Sequence, residues 1–187
     1  MTATAVEIPG YVTGTWEIDP VHSDVAFTVR HMMVSKVRGN FTSFGGTITT
    51  ADDLLASTVE ASIDLASIDT RNEQRDAHIR TADFFDVENH PTMTYRSTGI
   101  RQDGDAFVVD GELTLRGITR EVPLALEING IGPDAYGGTR IGLTATTEIN
   151  RTDFGVNWNS AIEAGGVVVS EKVAITLEIQ AVLKADA

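Results

Sequence analysis

The sequence predicts an antiparallel, all-β domain of about eight strands, closed as a barrel or stacked as a sandwich. Three observations carry that expectation. Most extended segments alternate apolar and polar residues, the period-two pattern of a strand with one wet face. Glycine-rich turn signals recur at regular spacing. No βαβ rhythm runs through the 187 residues, a length that a single barrel or sandwich uses whole.

Residues 1–13 read as an arm and residues 14–187 as one domain, with the fold proper starting near Trp16. In the first full strand Val25, Phe27, Val29 and His31 share one face; Asp24, Ala26, Thr28 and Arg30 share the other. Met32, Met33 and Val34 then add more apolar surface than one strand face needs, and Phe41 and Phe44 follow among Gly39, Gly45 and Gly46. Flexible thioethers and aromatics held among glycines suit a deformable apolar surface, either a packed core or a cavity that receives a greasy guest. A second extended segment covers residues 37–49, and a third sets Val59, Ala61, Ile63 and Leu65 on one face. Residues 72–86 are the one good helix candidate, with Asp69 or Thr70 as cap and Glu73 near its positive end. Its thin apolar content predicts one short helix and a turn, ended by His90-Pro91. Strands resume with Met93, Tyr95 and Ser97 on one face. Phe107, Val109, Gly111, Leu113 and Leu115 then lead to a turn at Arg116-Gly117. Ile118, Val122, Leu124, Leu126 and Ile128 line the partner strand, with Arg120 a polar break. A glycine-rich hairpin loop at 130–138 precedes Ile141, Leu143, Ala145, Thr147 and Ile149. The last strand places Val173, Ile175, Leu177, Ile179, Ala181 and Leu183 together. Small inward candidates (Ala61, Ser97, Gly111, Ala145, Ala181) leave room along the wall or admit neighbouring aromatics.

Composition removes whole classes of function. A net charge of −13, from 27 acidic and 14 basic residues, repels phosphate backbones and anionic leaflets, so neither nucleic-acid binding nor stable membrane insertion is expected. The absence of cysteine removes disulfides, thiolate metal sites and cysteine nucleophiles. His22, His31, His78 and His90 lack paired ligand spacing, so no metal site is expected. No nucleophile elbow, phosphate loop or dinucleotide fingerprint is present. The first residues carry neither a basic nor an apolar leader region, and no run is long enough to span a bilayer, which predicts a cytoplasmic location.

Five segments carry a family likeness: WEIDPVHSDVAFTVRH, VRGNFTSFGGTI, SIDTRNEQRDAHIRTADFFDVENHPTMTYRS, GELTLRGITREVPL and NRTDFG, in that order. With them the chain resembles the YceI-like polyisoprenoid-binding family from Trp16 to Leu183. The resemblance implies an elongated antiparallel β-barrel, similar to lipocalins, with a helical segment closing one side. It also implies a long isoprenoid chain, such as a quinone tail or polyprenyl lipid, in the barrel's tunnel, and it admits a homodimer. Many relatives resemble periplasmic proteins with a signal peptide, so the likeness holds in the domain and departs in targeting.

The expected tunnel lining is Phe27, Val29, His31, Met33, Phe41, Phe44, Phe84, Phe85, Tyr95, Leu113, Ile149 and Trp158. His31 is the polar exception on its face, either a core histidine bonded to a neighbour or a polar handle near a ligand headgroup. Arg75, Asp76 and Arg80 read as a structural ion-pair cluster or as the charges holding a lid formed by Phe84 and Phe85, with Asp76 and Arg80 four apart on one face. Arg151 and Asp153 read as a similar pair. The functional expectation is non-enzymatic binding, transport or storage of a long isoprenoid or similar lipid, with no cofactor beyond that ligand. Two alternatives stand beside it. One is a lipocalin-like enzyme acting on a lipidic or quinonoid substrate, with His31 and Asp76 or Arg80 in acid–base roles. The other is a self-filled barrel serving as an assembly module.

Overall fold

The alternating segments become strands, and every strand pairing is antiparallel. The computed structural model describes residues 7–32, 34–159 and 168–185. Its strands are β1 (Gly14–Ile18), β2 (Asp24–His31), β3 (Ser35–Phe41), β4 (Phe44–Thr50), β5 (Thr58–Asp64) and β6 (Ile68–Asp69). After the helix α1 (Glu73–Arg80) come β7 (Thr92–Asp103), β8 (Ala106–Leu115), β9 (Ile118–Glu121), β10 (Leu124–Pro133), β11 (Thr139–Asn150) and β12 (Lys172–Leu183).

Eight strands close the barrel in the order β1-β4-β5-β7-β8-β10-β11-β12, with β12 returning to β1 through pairs from Trp16–Leu183 to Ile18–Ala181. The other half of β12 pairs with β2, from Ala174–Thr28 to Glu178–Asp24, and β2 pairs in turn with β3. β1 and β2 therefore behave as one stave broken near Pro20, whose ring nitrogen has no proton to donate to a ladder. The extended segment expected over 37–49 is likewise two strands. Thr42 and Ser43 leave the ladder, and their amides bond to the carbonyl and hydroxyl oxygens of Ser67. The partner of β8 is interrupted at Pro123 for the same reason as at Pro20, which separates β9 from β10.

Arg116 (φ 53°) and Gly117 (φ 73°) both take the left-handed conformation, as the two central positions of a tight hairpin between β8 and β9 require. The helix is shorter than 72–86, and its cap is Asn72, whose side chain accepts from the Arg75 amide. Asp69 accepts from the Arg71 amide instead, and Thr70 is bound to Asp76. An eight-residue helix is unstable alone, so contacts with the barrel must hold α1 in place.

Two apolar clusters pack within the interior. Trp16, Ile18, Ile48, Ile141 and Ala181 seal the closing seam, with the Trp16 indole donating to the Thr50 hydroxyl at 2.9 Å. The larger cluster spans Val25, Phe41, Leu65, Phe84, Tyr95, Leu113 and Phe154. Among the described residues no helix is long and apolar enough to cross a membrane.

Candidate functional site

Two neighbouring cavities lie inside the barrel. The larger, about 550 Å³, sits where the wall is completed by α1, by Phe84 and Phe85 and by residues around Arg151–Trp158. The smaller, about 180 Å³, lies within the closed part of the barrel between β4, β5, β7, β8, β10, β11 and β12. Met93 and Ile175 border both.

Phe27, Val29, His31, Phe41, Phe84, Phe85, Ile149 and Trp158 line the larger cavity; Phe44, Tyr95 and Leu113 line the smaller. Met33 lies outside the described residues. The single tunnel expected from sequence is thus divided into two chambers. Pairing explains the common phase on one side: Val25, Phe27 and Val29 oppose Phe41, Gly39 and Val37 across β2 and β3. Gly39 is needed for close approach, since a Cβ there would stand 2.4 Å from the Phe27 ring.

Aromatic rings form two runs around the larger chamber. Phe41 lies between Phe27 and Phe85, with centroids 5.7 and 6.1 Å away. His78 stands edge-on to Phe84 (5.2 Å) and Trp158 (4.9 Å), and its Nε2 lies 2.8 Å from Asp83. In the smaller chamber the Tyr95 hydroxyl donates to the Val122 carbonyl at 2.8 Å, and burial pushes its phenol pKa up.

The charged cluster differs from expectation. Among the described residues no ion pair joins Asp76 to Arg80 or Arg151 to Asp153. The arginines bind carbonyl oxygens instead. Arg80 donates to Ala66 (2.9 Å) and Ile68 (3.3 Å), and Arg75 to the carbonyl (2.7 Å) and hydroxyl (2.8 Å) of Thr70. The buried Asp76 carboxylate accepts from the amide and hydroxyl of Thr70, at 3.0 and 2.5 Å. The physical reason is local: β6 is a two-residue edge strand paired only with β3, so carbonyls and amides at 66–70 that face away from that ladder need other partners, and these side chains supply them. Arg151, 5% exposed, donates to the carbonyls of Val156, Trp158, Val169 and Ser170, and burial lowers its pKa. Asp153 is exposed.

Among the described residues the larger cavity is bordered by Arg30, Arg75, Arg151, His31 and His78 and by no carboxylate, although the protein's net charge is −13. Asp76 and Arg80 line neither cavity, so the structure does not assemble them there with His31. Sequence reasoning did not single out Met93, Ile175 or His78 as lining residues. Their phase was legible for Met93 and Ile175, but which inward residues border a void depends on how distant strands close.

A YceI-like domain model matches residues 16–181. The chain is 37% identical over 160 residues to a UPF0312 protein of Staphylococcus epidermidis, covering 84% of this chain and 91% of that one. A YceI protein of Campylobacter jejuni has a similar structure, with TM-score 0.71 and 28% identity over 83% of this chain and 90% of that chain. A polyisoprenoid binding domain from Saccharophagus degradans shares the fold at TM-score 0.68 and 16% identity, over 92% of this chain and all of the other. With this barrel, this interior and a match over nearly the whole domain, the chain belongs to the YceI-like family.

Proposed function

We propose that this protein binds one long-chain isoprenoid or similar lipid, its apolar chain inside the barrel and its polar end at the larger cavity, for carriage or storage. The observation that carries this reading is the larger cavity itself. At about 550 Å³ it falls within the roughly 300–1,000 Å³ of small-molecule sites, and it joins apolar walls to a few polar groups. The polyisoprenoid binding domain of the same fold supports the choice of ligand class. Binding would be driven by burial, at about 25 cal/mol per Å² of apolar surface, less the cost of ordering the chain. In this reading Phe27, Val29, Phe41, Phe84, Phe85, Ile149 and Trp158 contact the ligand nearest its polar end, with His31 as the polar handle.

Trp158 provides the test, because the other tryptophan, Trp16, is fully buried in the seam. Titration with a long-chain prenol should change the tryptophan emission saturably and stoichiometrically, and Trp158→Phe should abolish the change. A linear, non-saturating response in the native protein contradicts the reading.

A further inference from the structure

We propose that Met93 and Ile175 set the length of chain that the barrel accepts, with Met93 a movable septum and Ile175 its fixed post. This inference rests on the binding role proposed above. These are the two described residues that border both cavities. Met93 lies on β7 opposite Ile63, and Ile175 lies on β12 opposite Phe27. Their stiffness differs: methionine has three rotatable side-chain bonds, whereas isoleucine is branched at Cβ and restricted at χ1.

Polar groups divide unevenly across the septum. Among the described residues, every charged side chain or histidine on the cavity walls borders the larger chamber alone, and none borders the smaller. Tyr95, on the wall of the smaller chamber, spends its hydroxyl on the Val122 carbonyl. A ligand with one polar end therefore keeps that end in the larger chamber and directs its tail at Met93. A short tail stays within about 550 Å³. A longer one must turn the thioether aside to fill the further 180 Å³ or so. Beyond that space Ile18 and Ile48 pack with the fully buried Trp16, which gives the path a closed end.

The test compares the native protein with Met93→Phe, Met93→Ala and Ala61→Leu, each checked for folding by its thermal transition. The probes are geraniol, farnesol, geranylgeraniol and a longer polyprenol, titrated by tryptophan emission. Native affinity should climb roughly tenfold or more with each added isoprene unit until the larger chamber is full, then climb again for chains that pass Met93. Met93→Phe, bulkier and stiffer, should remove about tenfold or more from the second climb while leaving geraniol within about twofold. Ala61→Leu should reduce affinity for the longest chain alone, because Ala61 borders the smaller chamber only and pairs with Tyr95 rather than with Met93. Met93→Ala should let the second climb begin at a shorter chain, and it decides the question if Met93→Phe does not fold. A length profile left unchanged by the Met93 variants, or shifted equally at every length, overturns the septum while binding stands. If the native protein binds none of the prenols, the binding role falls and the septum with it.

Discussion

At the residue scale, two arginines hold more of this structure than the charge pattern suggests. Arg151 satisfies four carbonyl oxygens in the 151–170 region, including that of Trp158 beside the larger cavity. Arg151→Met would keep much of the volume and orphan these acceptors. It should lower unfolding free energy by about 3 kcal/mol, read from the denaturant midpoint. Arg140 acts at the other end of β11, donating to Asp19 at 2.7 Å. The Arg140 guanidinium, and after it His22, hold the Asp19 carboxyl well below the usual carboxylate range. Because the folded pKa is lowered, the unfolded chain takes up the proton first as pH falls. The stabilisation is complete above the ordinary aspartate pKa, about 4, and is lost as pH falls toward the folded value. Arg140→Met should therefore flatten the fall of stability with pH below about 4, and urea titrations across that range check it. An unchanged slope would mean that the pair contributes nothing.

At the element scale, the helix is the least self-sufficient part. Three of its side chains, from Arg75, Asp76 and Arg80, are tied to residues 66–70, and Arg116 reaches across to the carbonyls of Ala82 and Phe84 at 2.7 and 2.6 Å. Within the helix only Ile79 packs against the apolar cluster, so amides of residues 73–80 should exchange with solvent faster than those of β8 and β11. Equal protection would contradict a helix held mainly by polar ties. The pairing of β2 with β3 carries a sharper test: Gly39→Ala should force the Phe27 ring into the larger cavity and weaken prenol binding by about tenfold, given the volume of a ring against a methylene. Legibility in the sequence followed physical range. Strand faces such as Val25-Phe27-Val29 and Val173–Leu183 were readable because alternation is local. The breaks at Thr42-Ser43 and the Asn72 cap were not foreseen, since both depend on which distant carbonyl or amide competes for a partner. The ionic pairing of Asp76 with Arg80 failed for a related reason. Spacing of four brings two charges near each other on a helix, but it does not reveal unsatisfied carbonyls at Ala66 and Ile68 that bind the guanidinium instead.

At the scale of the whole molecule, eight staves close around an interior too large for its own side chains to fill. Alternation alone left a packed core and a ligand chamber equally open. Closure leaves cavities inside: β12 contacts β11, β1 and β2 along its length, and the residues it turns inward from Val173 to Ile179 border first the larger and then the smaller chamber. The remaining asymmetry is the net negative charge of the chain against the arginines and histidines that border the larger chamber, and the proposed placement of a headgroup at that end rests on it. The most direct measurement is native mass spectrometry of gently purified protein, followed by organic extraction of the same sample. A single mass increment matched by an extractable long-chain lipid is the expected result. Protein at its bare polypeptide mass, with nothing extractable and no uptake of an offered polyprenol, would contradict the account.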